Sequence, residues 1–432
     1  MGTEKLVQDI GDYIDAQKEE MLSTLKQYIN FRSVNVEQLL EGEKSEIAEC
    51  QKWLKGRMQE MGYFDTVDLY EMEKGRPNVA GVKKGSGGGS SLMLNTHSDV
   101  VTVSEEQRQG WTELGPFDGG VKNGRVYGRG ATDMKGGGTA MLYAVKTLKE
   151  LGVRLKGDLL LTYVDGEESG RAEIGCWSLL DRGYTADFAI MGEPTGLQIY
   201  NKSKGEIYLE ITVHGVSTHI CNRYATVWPQ AAPEQQIGVN AIDKMVKIIN
   251  AFAELERSWG LQYYDPDLER GSTTIAVSLL RGGESFSAQA GECFMEIASM
   301  FAPQLTVEEV KRQLLGTIEC VSRFDHWLKN HPPVVNIPFP PKVPLDVPRD
   351  ADSVLALAEA FRQVKGAEPA VKPSPFVGDV NYMFEKGIPG VNWGPGDLSM
   401  GIHGTNEYLP VEQLLDAAKL YAAAAVSYCG LA

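Results

Sequence analysis

Apolar residues recur along this chain in two patterns that predict helices and buried strands. They follow helical spacing over residues 5–31 and 44–61, which predicts two amphipathic helices near the N-terminus. Between residues 100 and 200, continuous apolar runs alternate with a helical pattern that opens at the glycines 136–138 and ends before Gly152. Such runs are typical of strands buried on both faces. We therefore expect an α/β fold with a mixed, largely parallel sheet flanked by helices.

From about residue 203 the pattern changes to the alternation typical of strands with one exposed face. Alternating runs at 206–213, 272–280 and 291–300 surround a helix predicted near 238–258, and another helix is predicted near 306–320. The α/β pattern then resumes, with a strand near 390–394 and a final helix over 411–428. This change predicts an inserted α+β domain at residues 203–316, within a larger domain formed by residues 1–202 and 317–432.

The glycine- and serine-rich run at residues 85–90 has the composition of a flexible interdomain linker. It lies between two strand-like runs, however, which favours a hairpin loop within one domain. No domain boundary is placed there.

Composition and net charge limit the classes of protein to which this chain could belong. With 432 residues, 43% of them apolar, the chain can bury a large core. Its net charge of -16 argues against nucleic acid or an anionic membrane as the main partner. The six cysteines show no CxxC pair, and the N-terminus lacks a basic-then-apolar signal, so we expect a cytoplasmic protein. No apolar stretch approaches membrane-spanning length.

Residues that bind metals follow three of the predicted strands. His97 and Asp99 end one apolar run, Glu167 and Glu168 follow the next, and Glu193 follows a third. Ligands of open α/β sheets bind beyond the carboxyl ends of the strands. Histidine and carboxylate side chains are costly in such places unless they are paired or bind a metal. The placement predicts a metal-dependent site at this edge of the sheet.

Two further segments add an acid and a late histidine, so that the candidate ligands are His97, Asp133, Glu168, Glu193 and His403. Two imidazoles and three carboxylates fit zinc, with cobalt or manganese as alternatives. Five ligands indicate two metal ions that share one carboxylate. Two close metal ions can activate water and polarise a carbonyl group, which fits amide hydrolysis.

The residues beside these ligands have candidate roles of their own. Glu167, next to Glu168, is placed to act as a general base. Asp99 could accept the second N–H of His97 and so orient it. Taken singly, the acids also have ordinary interpretations, because Asp133 could cap a helix, Glu193 could mark a turn and the glutamate pair could lie in a solvated loop. Their joint placement at strand ends favours the metal site.

The motifs resemble those of the M20 metallopeptidase family, which includes acetylornithine deacetylase, succinyl-diaminopimelate desuccinylase, aminoacylase and glutamate carboxypeptidase. The similarity covers nearly the whole chain. The matching segments are residues 96–101, 128–137, 165–170, 191–195 and 394–396, followed by His403 and Glu407. The resemblance implies a zinc-exopeptidase-like catalytic domain with an inserted lid.

A ligand assignment follows from the resemblance. It implies that Asp133 bridges two zinc ions. His97 and Glu193 would complete one metal position, and Glu168 and His403 would complete the other.

The resemblance also implies that Glu167 is the general base and that the peptide bond between Asp133 and Met134 is cis. The inserted domain matches the family's lid, which commonly mediates dimerisation, so a homodimer through this domain is expected. Within the lid, His219 matches the residue that polarises the substrate carbonyl, often from the partner subunit. The alternative for His219 is an ordinary histidine on the lid surface. His214 is assigned a structural role.

The lid is also where the chain departs most from its relatives. An insertion at residues 220–237 follows the histidine motif and is expected to border the substrate pocket. Ser287, Ala290 and Met300 stand where many deacylase relatives carry Asn, Pro and Arg. The resemblance therefore says little about the substrate.

Together these features predict a dinuclear zinc amidohydrolase that removes an acyl group from an N-acyl amino acid or a related small molecule. The alternative is a dipeptidase or carboxypeptidase of the same family, because both reactions cleave an amide. A non-catalytic protein of this fold would typically lack a ligand or the base, and neither is missing here.

Overall fold

The computed structural model describes residues 3–227 and 236–432. The chain divides into two units, Met1–Lys202 with Leu345–Ala432 and Ser203–Pro344. The helices are α1 (Thr3–Ala16), α2 (Lys18–Asn30), α3 (Ile47–Met61), α4 (Glu105–Gly110), α5 (Lys135–Glu150), α6 (Cys176–Asp181), α7 (Arg223–Val227), α8 (Ala241–Gln262), α9 (Val307–Phe324), α10 (Asp352–Lys365), α11 (Asp379–Glu385) and α12 (Val411–Cys429).

The strands are β1 (Thr66–Glu73), β2 (Arg76–Lys83), β3 (Leu92–His97), β4 (Val121–Lys122), β5 (Arg125–Tyr127), β6 (Leu159–Val164), β7 (Phe188–Met191), β8 (Ile199–Ser203), β9 (Gly205–His214), β10 (Thr218–His219), β11 (Thr274–Gly282), β12 (Ala288–Gln289), β13 (Glu292–Phe301), β14 (Val334–Asn336), β15 (Leu345–Asp346), β16 (Val371–Pro373), β17 (Gly390–Asn392) and β18 (Tyr408–Pro410).

The first unit is built on a mixed sheet with the order β1-β2-β6-β3-β7-β17-β8-β15, and β16 pairs with β8. The four central neighbours β6, β3, β7 and β17 are parallel. β1 pairs antiparallel with β2, β2 with β6 and β8 with β17, while β16 pairs parallel with β8. Every residue of β3, β6 and β7 is buried. This confirms the predicted fold class, and it places the carboxyl ends of the central strands along one edge.

Two local predictions about this unit were wrong. The helix expected over residues 5–31 is two helices, α1 and α2, which meet at Gln17. The apolar pattern continues through the break because both helices pack into the same core. The run at residues 85–90 does not close a hairpin, since β6 lies between β2 and β3 in the sheet.

The second unit is a four-stranded antiparallel sheet, in the order β11-β13-β9-β14, packed with α8 and α9. Alternate residues of β13 are buried, as expected for a sheet with one exposed face. The unit ends at Pro344 and not at residue 316 as expected, because α9 packs with α8, and β14 pairs with β9. Over the described ranges, no helix is long and apolar enough to span a membrane.

Candidate metal centre

The candidate ligands meet where the central strands end. His97 is the last residue of β3, and Glu168 lies in a 3-10 turn, Glu167–Ser169, just beyond β6. Asp133 stands immediately before the residue that caps α5. His97, Asp133 and Glu168 each offer a ligand atom within 4.8 Å of the others.

Asp133 lies between the two candidate histidines. Its Oδ1 is 3.2 Å from Nε2 of His97, and its Oδ2 is 3.3 Å from Nε2 of His403. The same nitrogen of His403 is 3.1 Å from Oε2 of Glu168, and Nε2 of His97 is 3.9 Å from Oε1 of Glu193. The structure thus brings all five sequence-predicted ligand residues together, with one carboxylate between two imidazoles.

The alternative interpretations of these acids do not fit the structure. The N-cap of α5 is Met134, and no side chain caps this helix, so Asp133 is not a helix cap. The Asp133–Met134 peptide bond is cis, as the resemblance implied. The side chains of Glu168 and Glu193 are buried rather than solvated.

Asp99 orients its neighbours differently from what was expected. Nδ1 of His97 lies 2.9 Å from the backbone carbonyl oxygen of Asp99 and 3.6 Å from its carboxylate. The carbonyl is the closer acceptor because Asp99 stands beyond the end of β3, where the chain turns. The carboxylate instead accepts hydrogen bonds from Asn35 Nδ2, at 2.7 Å, and from the backbone N–H of Glu168, at 3.1 Å.

The turn that carries the two glutamates is held from several sides. Gly166 and Gly170 flank it with φ values of 94° and 67°, which glycine adopts at little cost. Gln38 donates a hydrogen bond of 2.8 Å to the carbonyl oxygen of Glu168. A Cβ at Gly378 would lie 3.4 Å from Oε1 of Glu167 and 3.6 Å from Oε1 of Glu193. The candidate base therefore lies beside the ligand set, against the loop before α11.

The electrostatics of this cluster favour a bound cation. Burial raises the pKa of Glu193 well above its usual range, and the charge of Asp133 adds to this effect. Burial and Asp133 likewise raise the pKa of Glu168 to about 7. Burial opposes protonation of His97, but the hydrogen bond with Asp133 and the charge of Glu193 outweigh it and raise the pKa of the imidazole. Closely spaced carboxylates stabilise the positively charged form of neighbouring groups.

The residues present fit a dinuclear metal site. Because Nδ1 of His97 faces a carbonyl oxygen, it is the protonated nitrogen of the neutral ring, and Nε2 then presents a lone pair to the Asp133 carboxylate. Nε2 of His97 and Oδ1 of Asp133 are then two acceptors 3.2 Å apart, and two acceptors this close need a cation between them, either a proton or a metal ion. Among the described residues, Oε1 of the buried Glu168 has no hydrogen-bond partner. The donor set of imidazoles and carboxylates suits a zinc-like divalent ion.

The lid histidines belong to the second unit. His219, at the end of β10, is exposed, and its Nδ1 accepts a hydrogen bond of 3.2 Å from the backbone of Cys221. His214 is also exposed and lies 3.4 Å from Glu292. Only part of the predicted insertion at 220–237 is described: it includes α7, and residues 228–235 lie outside the described ranges. The carbonyl-polarising role of His219 stays a prediction.

Several residues that support the site had no assigned role in the sequence. Asn35 and Gln38 hold the strand-end loops, as described above. Arg129 and Glu407 form a buried ion pair behind Asp133. Arg129 stood out only as a charged residue within a glycine-rich run, and Glu407 only as part of a matching segment. Their burial is a tertiary property, which spacing along the chain does not reveal.

Comparison with known proteins gives consistent relatives. A family model described as peptidase family M20/M25/M40 matches residues 93–427. An N-formyl-4-amino-5-aminomethyl-2-methylpyrimidine deformylase of Bacillus subtilis is 33% identical, over 96% of this chain and 96% of that protein. A second deformylase of the same description, from Halalkalibacterium halodurans, is 30% identical, over 99% of this chain and 98% of the relative.

Solved structures match the fold. An M20 family metallo-carboxypeptidase from Sulfolobus solfataricus superposes with a TM-score of 0.74 at 20% identity, over 95% of this chain and 99% of that one. A di-peptidase from Saccharomyces cerevisiae gives a TM-score of 0.73 at 14% identity, over 99% of both chains. At these identities the likeness concerns the fold alone.

Proposed function

We propose a substrate for this chain on the premise that it belongs to peptidase family M20/M25/M40 and is a metal-dependent hydrolase of amide bonds. The substrate that we infer is a small N-formylated amine attached to a nitrogen heterocycle, such as an N-formylaminopyrimidine. The two deformylase relatives, similar over nearly the whole chain, support this choice within the broader class of N-acyl compounds.

The observation that carries the hydrolytic assignment is the position of Asp133 between His97 and His403, with Glu167 beside the cluster. We assign one metal position to His97, Asp133 and Glu193, and the other to Asp133, Glu168 and His403. Zinc suits these donors best, and cobalt or manganese are the alternatives.

The residues divide the work of hydrolysis. When bound, the two ions supply Lewis acidity towards the formyl oxygen and lower the pKa of a water molecule. Glu167 accepts the proton of that water as its oxygen bonds to the formyl carbon. The C–N bond then breaks, Glu167 returns this proton to the departing amine, and the formyl group leaves as formic acid, which loses its remaining proton to solvent as formate. His219 is our candidate for a hydrogen bond to the developing oxyanion.

A substrate panel tests the proposal. Purified protein loaded with Zn²⁺ or Co²⁺ would be assayed on an N-formylaminopyrimidine, on N-formyl, N-acetyl and N-succinyl amino acids, and on dipeptides. We expect the highest kcat/KM on the N-formylaminopyrimidine, with release of formate. A higher kcat/KM on N-succinyl or N-acetyl amino acids would show that the inferred substrate is wrong, although the reaction would still be removal of an acyl group. A preference for dipeptides would favour the peptidase alternative.

We also propose a homodimer formed through the second unit. Support comes from β11, which lies at the edge of its sheet and exposes the apolar side chains of Val277 and Leu280. Within the described part of the chain β11 pairs only with β13, and an edge strand of this kind readily pairs with another strand.

A cytoplasmic location is our remaining proposal. All six cysteines lie within the described ranges, and no disulfide bond joins any two of them, which fits a reducing compartment.

A further inference from the structure

A buried ion pair lies behind the metal centre, joining segments that are far apart in sequence. Nη1 of Arg129 is 2.7 Å from Oε2 of Glu407, and each side chain is 1% exposed. Burying two charges is costly, and the cost is recovered only when the remaining hydrogen-bonding capacity of both groups is used. The partners of the pair therefore indicate what it does.

The carboxylate of Glu407 holds the loop that carries the bridging residue. Its Oε1 accepts the backbone N–H groups of Thr132, at 3.0 Å, and Asp133, at 3.1 Å. Its Oε2 accepts the N–H of Gly130 at 3.1 Å in addition to Arg129. One carboxylate thus holds the backbone N–H groups on both sides of Thr132, the residue before Asp133.

The guanidinium of Arg129 holds the other segment. Its Nη2 donates to the carbonyl oxygen of Gly404 at 2.9 Å, directly after His403. His403 has a φ of 57°, a left-handed conformation that non-glycine residues adopt only when the surroundings impose it. Gln107 donates a hydrogen bond of 2.9 Å to the carbonyl oxygen of His403 from its other side. Two side chains therefore hold this stretch of backbone, Gln107 at the carbonyl of His403 and Arg129 at the carbonyl of the next residue.

We propose that Arg129 and Glu407 are positioning residues that fix His403 against Asp133 and so set the affinity of the metal position formed by Asp133, Glu168 and His403. This inference rests on the ligand set of the proposed function. His97 is the last residue of β3, Glu193 lies two residues beyond the end of β7, and the hydrogen bonds described above for the pair reach neither of them. The pair should therefore affect the two metal positions unequally.

The discriminating variant is Arg129→Lys. Lysine keeps the charge next to Glu407 but lacks the second, forked nitrogen that reaches Gly404. Loss of a residue that orients a metal ligand typically weakens metal affinity about 10–100-fold. We expect Arg129→Lys to weaken the affinity for one of the two ions by that factor and to leave the affinity for the other unchanged.

The measurement is a calorimetric titration of metal-free protein with Zn²⁺, followed by the absorption spectrum of the Co²⁺-loaded form, both without substrate. Glu407→Gln is the second variant, in case Arg129→Lys does not fold. It should weaken the ion at Glu168 and His403 at least as strongly, and the other ion by a smaller factor, because it also loosens the backbone of Asp133, which both positions share.

Asp325→Asn is the matched control in the second unit. Asp325 is also buried, pairs with Lys244 and Lys247, and accepts the backbone N–H groups of Trp327 and Leu328. Its loss should cost stability without changing either metal affinity.

The outcomes separate this inference from the proposed function. Two wild-type affinities retained in a folded Arg129→Lys or Glu407→Gln protein would overturn the inference and leave the ligand set intact. Equal weakening of both ions, matched by Asp325→Asn, would also overturn it, because general destabilisation would then explain the loss. A wild-type protein that binds fewer than two ions would instead contradict the proposed ligand set.

Discussion

At the scale of single residues, two neighbouring glutamates occupy different surroundings in one turn. The side chain of Glu168 is 4% exposed and lies 3.1 Å from Nε2 of His403. The carboxylate of Glu167 lies beside Gly378, as does that of Glu193. A 3-10 turn, unlike a strand, lets adjacent side chains reach the same centre. This geometry supports one glutamate as ligand and the other as base.

The pair of glutamates gives a prediction that separates the two roles. Glu167→Gln should bind two metal ions like the wild type while kcat falls about 10²–10⁴-fold, the usual contribution of a general base. Glu168→Gln should lose metal, since it removes a ligand. Metal content by elemental analysis and kcat on the best substrate of the panel would check both. Wild-type kcat in Glu167→Gln would exclude it as the base.

At the scale of elements, the first turn of α5 owes its position to glycine. A Cβ at Gly137 would lie 2.3 Å from the backbone oxygen of Gly192, and one at Gly138 would lie 3.1 Å from Thr96. Without side chains at these positions, the helix approaches the ends of β3 and β7 closely. That approach places Asp133, just before α5, next to His97 and Glu193.

Two alanine substitutions test this packing. Gly137→Ala should lower the free energy of unfolding by about 1–3 kcal/mol, the usual cost of overpacking, although alanine favours helices. Gly56→Ala, in α3, is the control, because a Cβ there meets nothing within 4 Å. It should raise stability by about 0.5–1 kcal/mol. Denaturant unfolding measures both, and an equally stabilised Gly137→Ala protein would contradict the close approach.

At the scale of the whole molecule, the two units have different tasks. The first holds the ligand cluster on a sheet whose central strands are buried. The second carries His219 and an edge strand with exposed apolar residues. The dimer contact that we propose for the second unit would use such a surface, because edge pairing supplies both hydrogen bonds and apolar burial.

The proposed homodimer can be tested by introducing positive charge on the edge strand β11. We expect the double variant Val277→Lys and Leu280→Lys to sediment as a monomer under conditions where the wild type is a dimer, since lysines on an edge strand oppose pairing. Leu355→Lys is the control, because Leu355 is similarly exposed on α10 of the first unit. Sedimentation velocity gives the readout. A double variant that remains as dimeric as the control would place the contact elsewhere.

Much of this architecture follows from local sequence, and the predictions that were wrong failed for physical reasons. The central strands could be predicted because strands buried on both faces are continuously apolar, as in β3 and β6. The break at Gln17 could not, because both helices share one apolar pattern. The end of the inserted unit was placed too early, because the pairing of β14 with β9 depends on a contact between distant segments.

The sequence by itself determined the class of sheet and three candidate ligands, His97, Glu168 and Glu193, because residue type and position after an apolar run are local properties. Asp133 and His403 joined the set by residue type and by the resemblance of their motifs. Tertiary structure decided the rest of the centre. It set Asp133 between His97 and His403, and it turned the carbonyl rather than the carboxylate of Asp99 towards His97. It also buried Arg129 against Glu407, a pairing across 278 positions that only the folded chain brings together.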